Sequence, residues 1–107
     1  MTKYIVIECS NDNVGADSSW YADIDERIVN TYVEAKELVR ENAIKTLTAL
    51  NSNSKDNIMY FSTANTLNIE LEDFDDELEI WREEDLGSGI YTPISMITRY
   101  SIKQIKI

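Results

Sequence analysis

The sequence predicts a small α+β domain, a mostly antiparallel sheet of four to six strands packed on one long helix. Three observations carry this expectation. Runs rich in β-branched and aromatic residues recur at Lys3–Cys9, Ile58–Thr63 and Ile90–Ile107, the residue types that suit a pleated, half-buried surface. One stretch near Glu26–Leu50 carries an apolar stripe at helical spacing over many turns. The resulting order, β-(β)-α-β-β-β-β, is that of an α+β fold. A length of 107 residues and an apolar fraction of 43% fit a single domain, 1–107, with its own core.

Taken in order, Lys3–Cys9 has apolar residues on both parities, which predicts a strand inside the sheet. Cys9 then reads as a small buried hydrophobe. Ser10–Ser19 is a polar loop of turn formers. Trp20–Ile24 is a second strand or the lead-in to the helix. Asp23 with Glu26 resembles a capping box, which starts the helix near Glu26. Its stripe is Ile28, Tyr32, Ala35, Val39, Ala43, Leu47 and Leu50, widened by Val29, Val33 and Leu38. Glu34, Lys36, Glu37, Arg40, Glu41 and Lys45 fall on a solvated outer face. Asn51–Asn57 is a polar linker, and Ile58–Thr63 is a strand.

Leu67, Ile69 and Leu71 alternate with Asn68, Glu70 and Glu72, and Leu78 and Ile80 alternate with Glu77, Glu79 and Trp81. The period of two predicts a hairpin turning at Asp73–Asp76, with one apolar and one acidic face. A helix is the rival reading, since Leu71, Phe74, Leu78 and Trp81 also fall at helical spacing. Gly87-Ser88-Gly89 makes a loop. Ile90–Ile107 is the last strand, with Pro93 at an edge or bend and a bulge near Lys103 or Gln104. A short helix from Thr92-Pro93 to Tyr100 is the alternative there. Arg99, Lys103 and Lys106 make this segment basic, suited to lie beside the acidic hairpin.

Charge is distributed unevenly. The chain carries a formal net charge of −10. Glu70–Asp85 holds ten carboxylates against one cation, Arg82, while 86–107 holds three bases and no acid. The acids are interleaved with large apolar residues, unlike a disordered acidic tail. The charge disfavours nucleic acid and anionic membrane as direct partners and favours a basic protein.

Several chemistries are excluded by count. The chain has no histidine, so it lacks the commonest general base and metal ligand and any Ser–His or Cys–His pair. Cys9 is the only cysteine, which rules out an internal disulfide and thiolate-rich zinc sites. There is no Gly-rich phosphate loop, and the chain holds three glycines in all. Asp73, Asp75, Glu77, Glu79 and Glu84 fall at calcium-loop spacing, but Leu78 stands where the loop needs glycine. No run is long enough to span a membrane, and Met1–Glu8 turns acidic too early for a signal peptide. The expectation is a cytoplasmic protein, in the host cytoplasm if phage-encoded, that is not an enzyme and has no catalytic residue, metal or cofactor.

The candidate partner-binding residues are Glu70, Glu72, Asp73, Asp75, Asp76, Glu77, Glu79, Trp81, Glu83, Glu84 and Asp85. As a hairpin of about 25 Å they would carry one carboxylate per ~2.5 Å, against one charge per ~1.7 Å of duplex DNA. Trp81 would be the aromatic anchor. In composition the chain resembles, in kind only, small acidic proteins that block other proteins: phage anti-restriction and anti-CRISPR proteins, immunity proteins and antitoxins. The expected function is an inhibitor that covers the basic nucleic-acid-binding surface of an enzyme or complex by charge mimicry. The alternatives are an immunity or antitoxin-type protein neutralising a cognate toxin, an accessory subunit, and a cation-binding module.

Overall fold

A computed structural model describes residues 1–10, 23–54, 56–64, 69–85, 87 and 91–106. One helix packs on a five-stranded antiparallel sheet, the α+β architecture expected. The strands are β1 (Thr2–Ser10), β2 (Asp23–Val29), β3 (Ile58–Ser62), β4 (Glu77–Asp85) and β5 (Tyr91–Lys106). Their order across the sheet is β2-β1-β5-β4-β3. β1 therefore lies inside the sheet, as its two apolar parities require, and β5 is the central strand.

Register assigns each side chain to a face. Val6 lies opposite Ile102, Glu8 opposite Tyr100, Leu78 opposite Tyr100, and Ile80 opposite Thr98 and Ser62. These positions face the helix α1 (Tyr32–Ser52), whose buried residues are Ala35, Val39, Ala43 and Leu47. With Ile69 and Phe74 they form the core. Side chains one residue out of step, including Ile5, Ile7, Ile28, Phe61, Trp81 and Arg99, lie on the other face of the sheet. Cys9 is among them: it is half-buried, with Arg99 as its β5 partner, not the fully buried hydrophobe expected.

The helix begins later than its stripe suggests. Asp23–Val29 is a strand paired with β1, so Ile28 lies on the open face of the sheet and is 57% exposed. Thr31 is the actual N-cap: its Oγ1 accepts the Glu34 N–H at 3.1 Å. The Thr-x-x-Glu spacing is the capping-box pattern. At 21 residues the helix is ~32 Å long. It starts near β1, where Tyr32 meets the Tyr4 ring at 5.6 Å, and ends at β3, where Asn51 bonds Tyr60.

The acidic hairpin does not form. Leu71–Asp73 is a single 3₁₀ turn, and Glu77–Asp85 pairs with β3 and β5 rather than with the segment before it. The rival helix is absent as well. Leu67 and Asn68, the start of the expected first arm, lie outside the described residues, as do the Ser10–Ser19 loop beyond Ser10, Trp20, Tyr21, Ala22, and Ser88 and Gly89 of the expected loop.

The last strand holds two corrections. Pairing of β5 with β1 runs unbroken through Lys103 and Gln104, so no bulge lies there. The irregularities fall earlier, where Ile80 pairs Thr98 but Trp81 pairs Met96, and where Arg82 pairs Ser95 but Glu83 pairs Pro93. Met96 and Tyr100 share number parity, yet the extra residue at Ile97 puts Met96 opposite Trp81 and Tyr100 opposite Leu78. Pro93 lies where β5 has run beyond its last β1 partner, Ser10, so its missing N–H costs that side no ladder bond. Among the described residues no helix is long and apolar enough to cross a membrane.

Candidate protein-interaction site

The acidic stretch divides into three parts. Glu70, Glu72, Asp73, Asp75, Asp76 and Glu77 are all exposed and form an apron across the Leu71–Asp73 turn. Glu77, Glu79, Trp81, Glu83 and Asp85 alternate along the face of β4 turned away from the helix. Glu84 lies on the helix side, with its Oε1 3.9 Å from Arg82 Nη2. The ten carboxylates thus share no single strip, and a hairpin-based spacing does not describe them. Glu77–Glu84 also runs extended within one strand, so the calcium-loop residues cannot wrap one ion.

The apron is held in place. Ile69 is fully buried and Phe74 is 7% exposed, which anchors it at both ends. Glu70 and Asp73 close a reciprocal capping box: the Glu70 N–H donates to Asp73 Oδ2 at 2.9 Å. Two cations that the helix stripe placed in solvent meet the apron from α1. Arg40 Nε donates to the Ile69 carbonyl. Lys36 Nζ sits 5.1 Å from the Phe74 ring centre and 5.6 Å from that of Tyr32, within cation–π range. Tyr32 donates its hydroxyl hydrogen to Asp76 Oδ1 at 2.8 Å. Partial burial, and then this bond to a carboxylate, push the Tyr32 phenol up to about 12. The Asp76 carbonyl accepts the Ile102 N–H at 2.8 Å, tying the apron's end to the central strand.

What remains outward is negative. The carboxylates of Glu72, Asp75 and Glu77 have neither a hydrogen bond nor an ion pair among the described residues. Glu34, Glu37 and Glu41 are exposed on the adjoining helix. The sequence reading missed Tyr32, Lys36 and Arg40 as supports of the acids. The signal available was their i, i+4 spacing next to the apolar stripe, but only the fold brings them to residues about forty positions away.

On β4, Glu79 is tied down instead. Arg99 Nη2 lies 3.2 Å from Glu79 Oε2, and the Trp81 indole donates to Glu79 Oε1 at 3.3 Å. Of the three bases of the last strand, Arg99 alone lies opposite an acid of β4; Lys103 and Lys106 lie beyond Ser101, the last β4 partner, and pair with β1. Trp81 is half-buried on the face away from the helix, with Phe61 and Met96 as its cross-strand partners.

No protein-family model matches this sequence, no curated protein matches it significantly, and no solved structure matches it significantly. The functional reading therefore rests on the site's own geometry. Among the described residues no three acids or cysteines converge as metal ligands. The apron is an anchored, outward-facing anionic surface, and the sheet face bearing Trp81, Phe61 and Met59 mixes apolar side chains with Glu79, Glu83 and Arg99.

Proposed function

We propose that this chain is a non-enzymatic protein-binding inhibitor whose acidic apron, Glu70–Glu77, docks on the basic surface of a nucleic-acid-binding enzyme or complex. The observation that carries this is the combination of six exposed carboxylates on eight residues with an anchored backbone. Anionic groups already fixed in position lose little freedom on binding, so more of their attraction is available as affinity. A negative surface also steers encounter with a cationic groove, a rate effect that salt weakens. An anti-CRISPR or anti-restriction role is the specific form of this reading, and it places the protein in the cytoplasm where such targets work.

The test is affinity capture from bacterial lysate with mass spectrometry, comparing wild type with a Glu72→Gln/Asp75→Asn/Glu77→Gln variant. These three carboxylates support nothing else among the described residues, so the variant keeps the fold. Retention of a basic nucleic-acid enzyme by wild type alone supports the reading. A second reading, an immunity-type protein, is favoured by the open sheet face bearing Trp81, Phe61, Met96 and Met59, the last 38% exposed. One partner held equally by both proteins at high salt would favour it.

A further inference from the structure

A second feature lies on the other flank of α1. The apron supports Lys36 and Arg40 lie to one side of the buried stripe Ala35–Val39–Ala43–Leu47. Asn42, Lys45, Thr46 and Ala49 lie to the other side and, with Leu50 and Glu8 of β1, line a groove of about 400 Å³. That volume is within the range of small-ligand sites, ~300–1,000 Å³.

Glu8 is the unusual member. Its register opposite Tyr100 puts it on the helix-covered face of the sheet, where its neighbours Val6, Tyr100 and Ile102 are buried and largely apolar. Thr46 Oγ1 lies 3.1 Å from the phenol oxygen of Tyr100, the ladder partner of Glu8. Burial first, and the nearby Glu8 carboxylate as well, push the Tyr100 phenol upward. Glu8 itself stays partly exposed. Among the described residues no cation forms an ion pair with it.

We infer that this groove receives an arginine side chain, with the guanidinium on Glu8 and the aliphatic stem along Ala49 and Leu50. A planar guanidinium matches a carboxylate through two parallel bonds and is weakly hydrated, so it tolerates a half-enclosed site better than an ammonium does. The Asn42 side-chain oxygen is a further acceptor on the groove's wall. Lys45 is exposed at the mouth and opposes the cation, which sets a direction for its removal. As a source of arginine this rests on the proposed basic protein partner, but the site is testable without that partner.

The test is ¹⁵N–¹H NMR titration of the full chain with Nα-acetyl-arginine amide, beside its citrulline analogue and free arginine. The expected result is millimolar binding with shifts at Glu8, Asn42, Thr46 and Ala49. Citrulline should bind about tenfold more weakly or not at all, as loss of one charge-assisted pair requires. Glu8→Gln, which removes the charge with little change of shape, and Ala49→Phe, which fills the groove, should each weaken binding by at least about tenfold, and Lys45→Ala should strengthen it. Stronger binding of free arginine than of the blocked form would assign the groove to a metabolite rather than a protein side chain and overturn the partner source. Shifts confined to 70–77, abolished by the apron variant, would overturn the site itself. Because the apron variant leaves the groove intact, failure of the groove and failure of the apron reading give different results.

Discussion

The Tyr32 hydroxyl and the Asp76 carboxylate, 44 residues apart, meet at 2.8 Å and join the first turn of the helix to the end of the acidic apron. Tyr32→Phe removes that bond alone. At neutral pH it should lower stability by about 1 kcal/mol, a typical value for one exposed bond to a charged group. The folded phenol titrates near 12 against 10 when unfolded. Its contribution is therefore complete below pH 10 and is lost as pH rises through 12. Chemical denaturation across that range should show the wild type and Tyr32→Phe converging as Tyr32 ionises.

Phe74 anchors the apron from below. Phe74→Ala should cost about 3 kcal/mol, as large-to-small changes at buried aromatics do. Hydrogen exchange should show faster opening at 70–76 than at Leu78 and Ile80, because β4 keeps its pairing on both sides. Uniform acceleration across β4 would mean that the apron is integral to the sheet.

Asn51 covers the outer edge of β3. Its Oδ1 accepts the Tyr60 N–H at 2.8 Å and its Nδ2 donates to the Tyr60 carbonyl at 3.0 Å. A free edge strand is a template for pairing with another chain. Asn51→Ala should cost about 1–2 kcal/mol and produce concentration-dependent association in sedimentation velocity. Lys45→Ala, at an exposed site on the same helix, should do neither.

Arg99 and Glu79 form a half-exposed pair beside Trp81. Each single alanine substitution should cost about 0.5–1 kcal/mol, and the double substitution little more than either alone. In a Trp20→Phe background, Trp81 emission should shift with Glu79→Ala and stay unchanged with Glu26→Ala.

The elements that could be read from the sequence were those whose pattern matched their burial. Apolar residues on both parities of Lys3–Cys9 marked an interior strand, and the Ala35–Val39–Ala43–Leu47 stripe marked the helix. The helix start was misread because Asp23-x-x-Glu26 and Thr31-x-x-Glu34 are the same signal. Only β2 pairing with β1 decides between them, and that contact is long-range. The hairpin was misread because Ile69 alternates correctly, yet its burial comes from the helix side, with Arg40 holding its carbonyl, and not from a cross-strand partner. The acids themselves were visible as a run. Their division into an exposed apron and a paired strand was not, because it depends on Arg99, Tyr32 and Lys36 arriving from distant segments. The bulge at Ile97 reverses a parity that counting alone treats as continuous.

Docking through the acidic apron is tested most sharply by the salt dependence of affinity for the captured partner, with duplex DNA as competitor. Wild type and the Glu72→Gln/Asp75→Asn/Glu77→Gln variant would be compared. The expected result is affinity that falls steeply with salt, a shallower slope for the variant, and displacement of the wild type by DNA. Equal slopes for the two proteins, with no competition from DNA, would contradict it and move the binding surface to the Trp81 face.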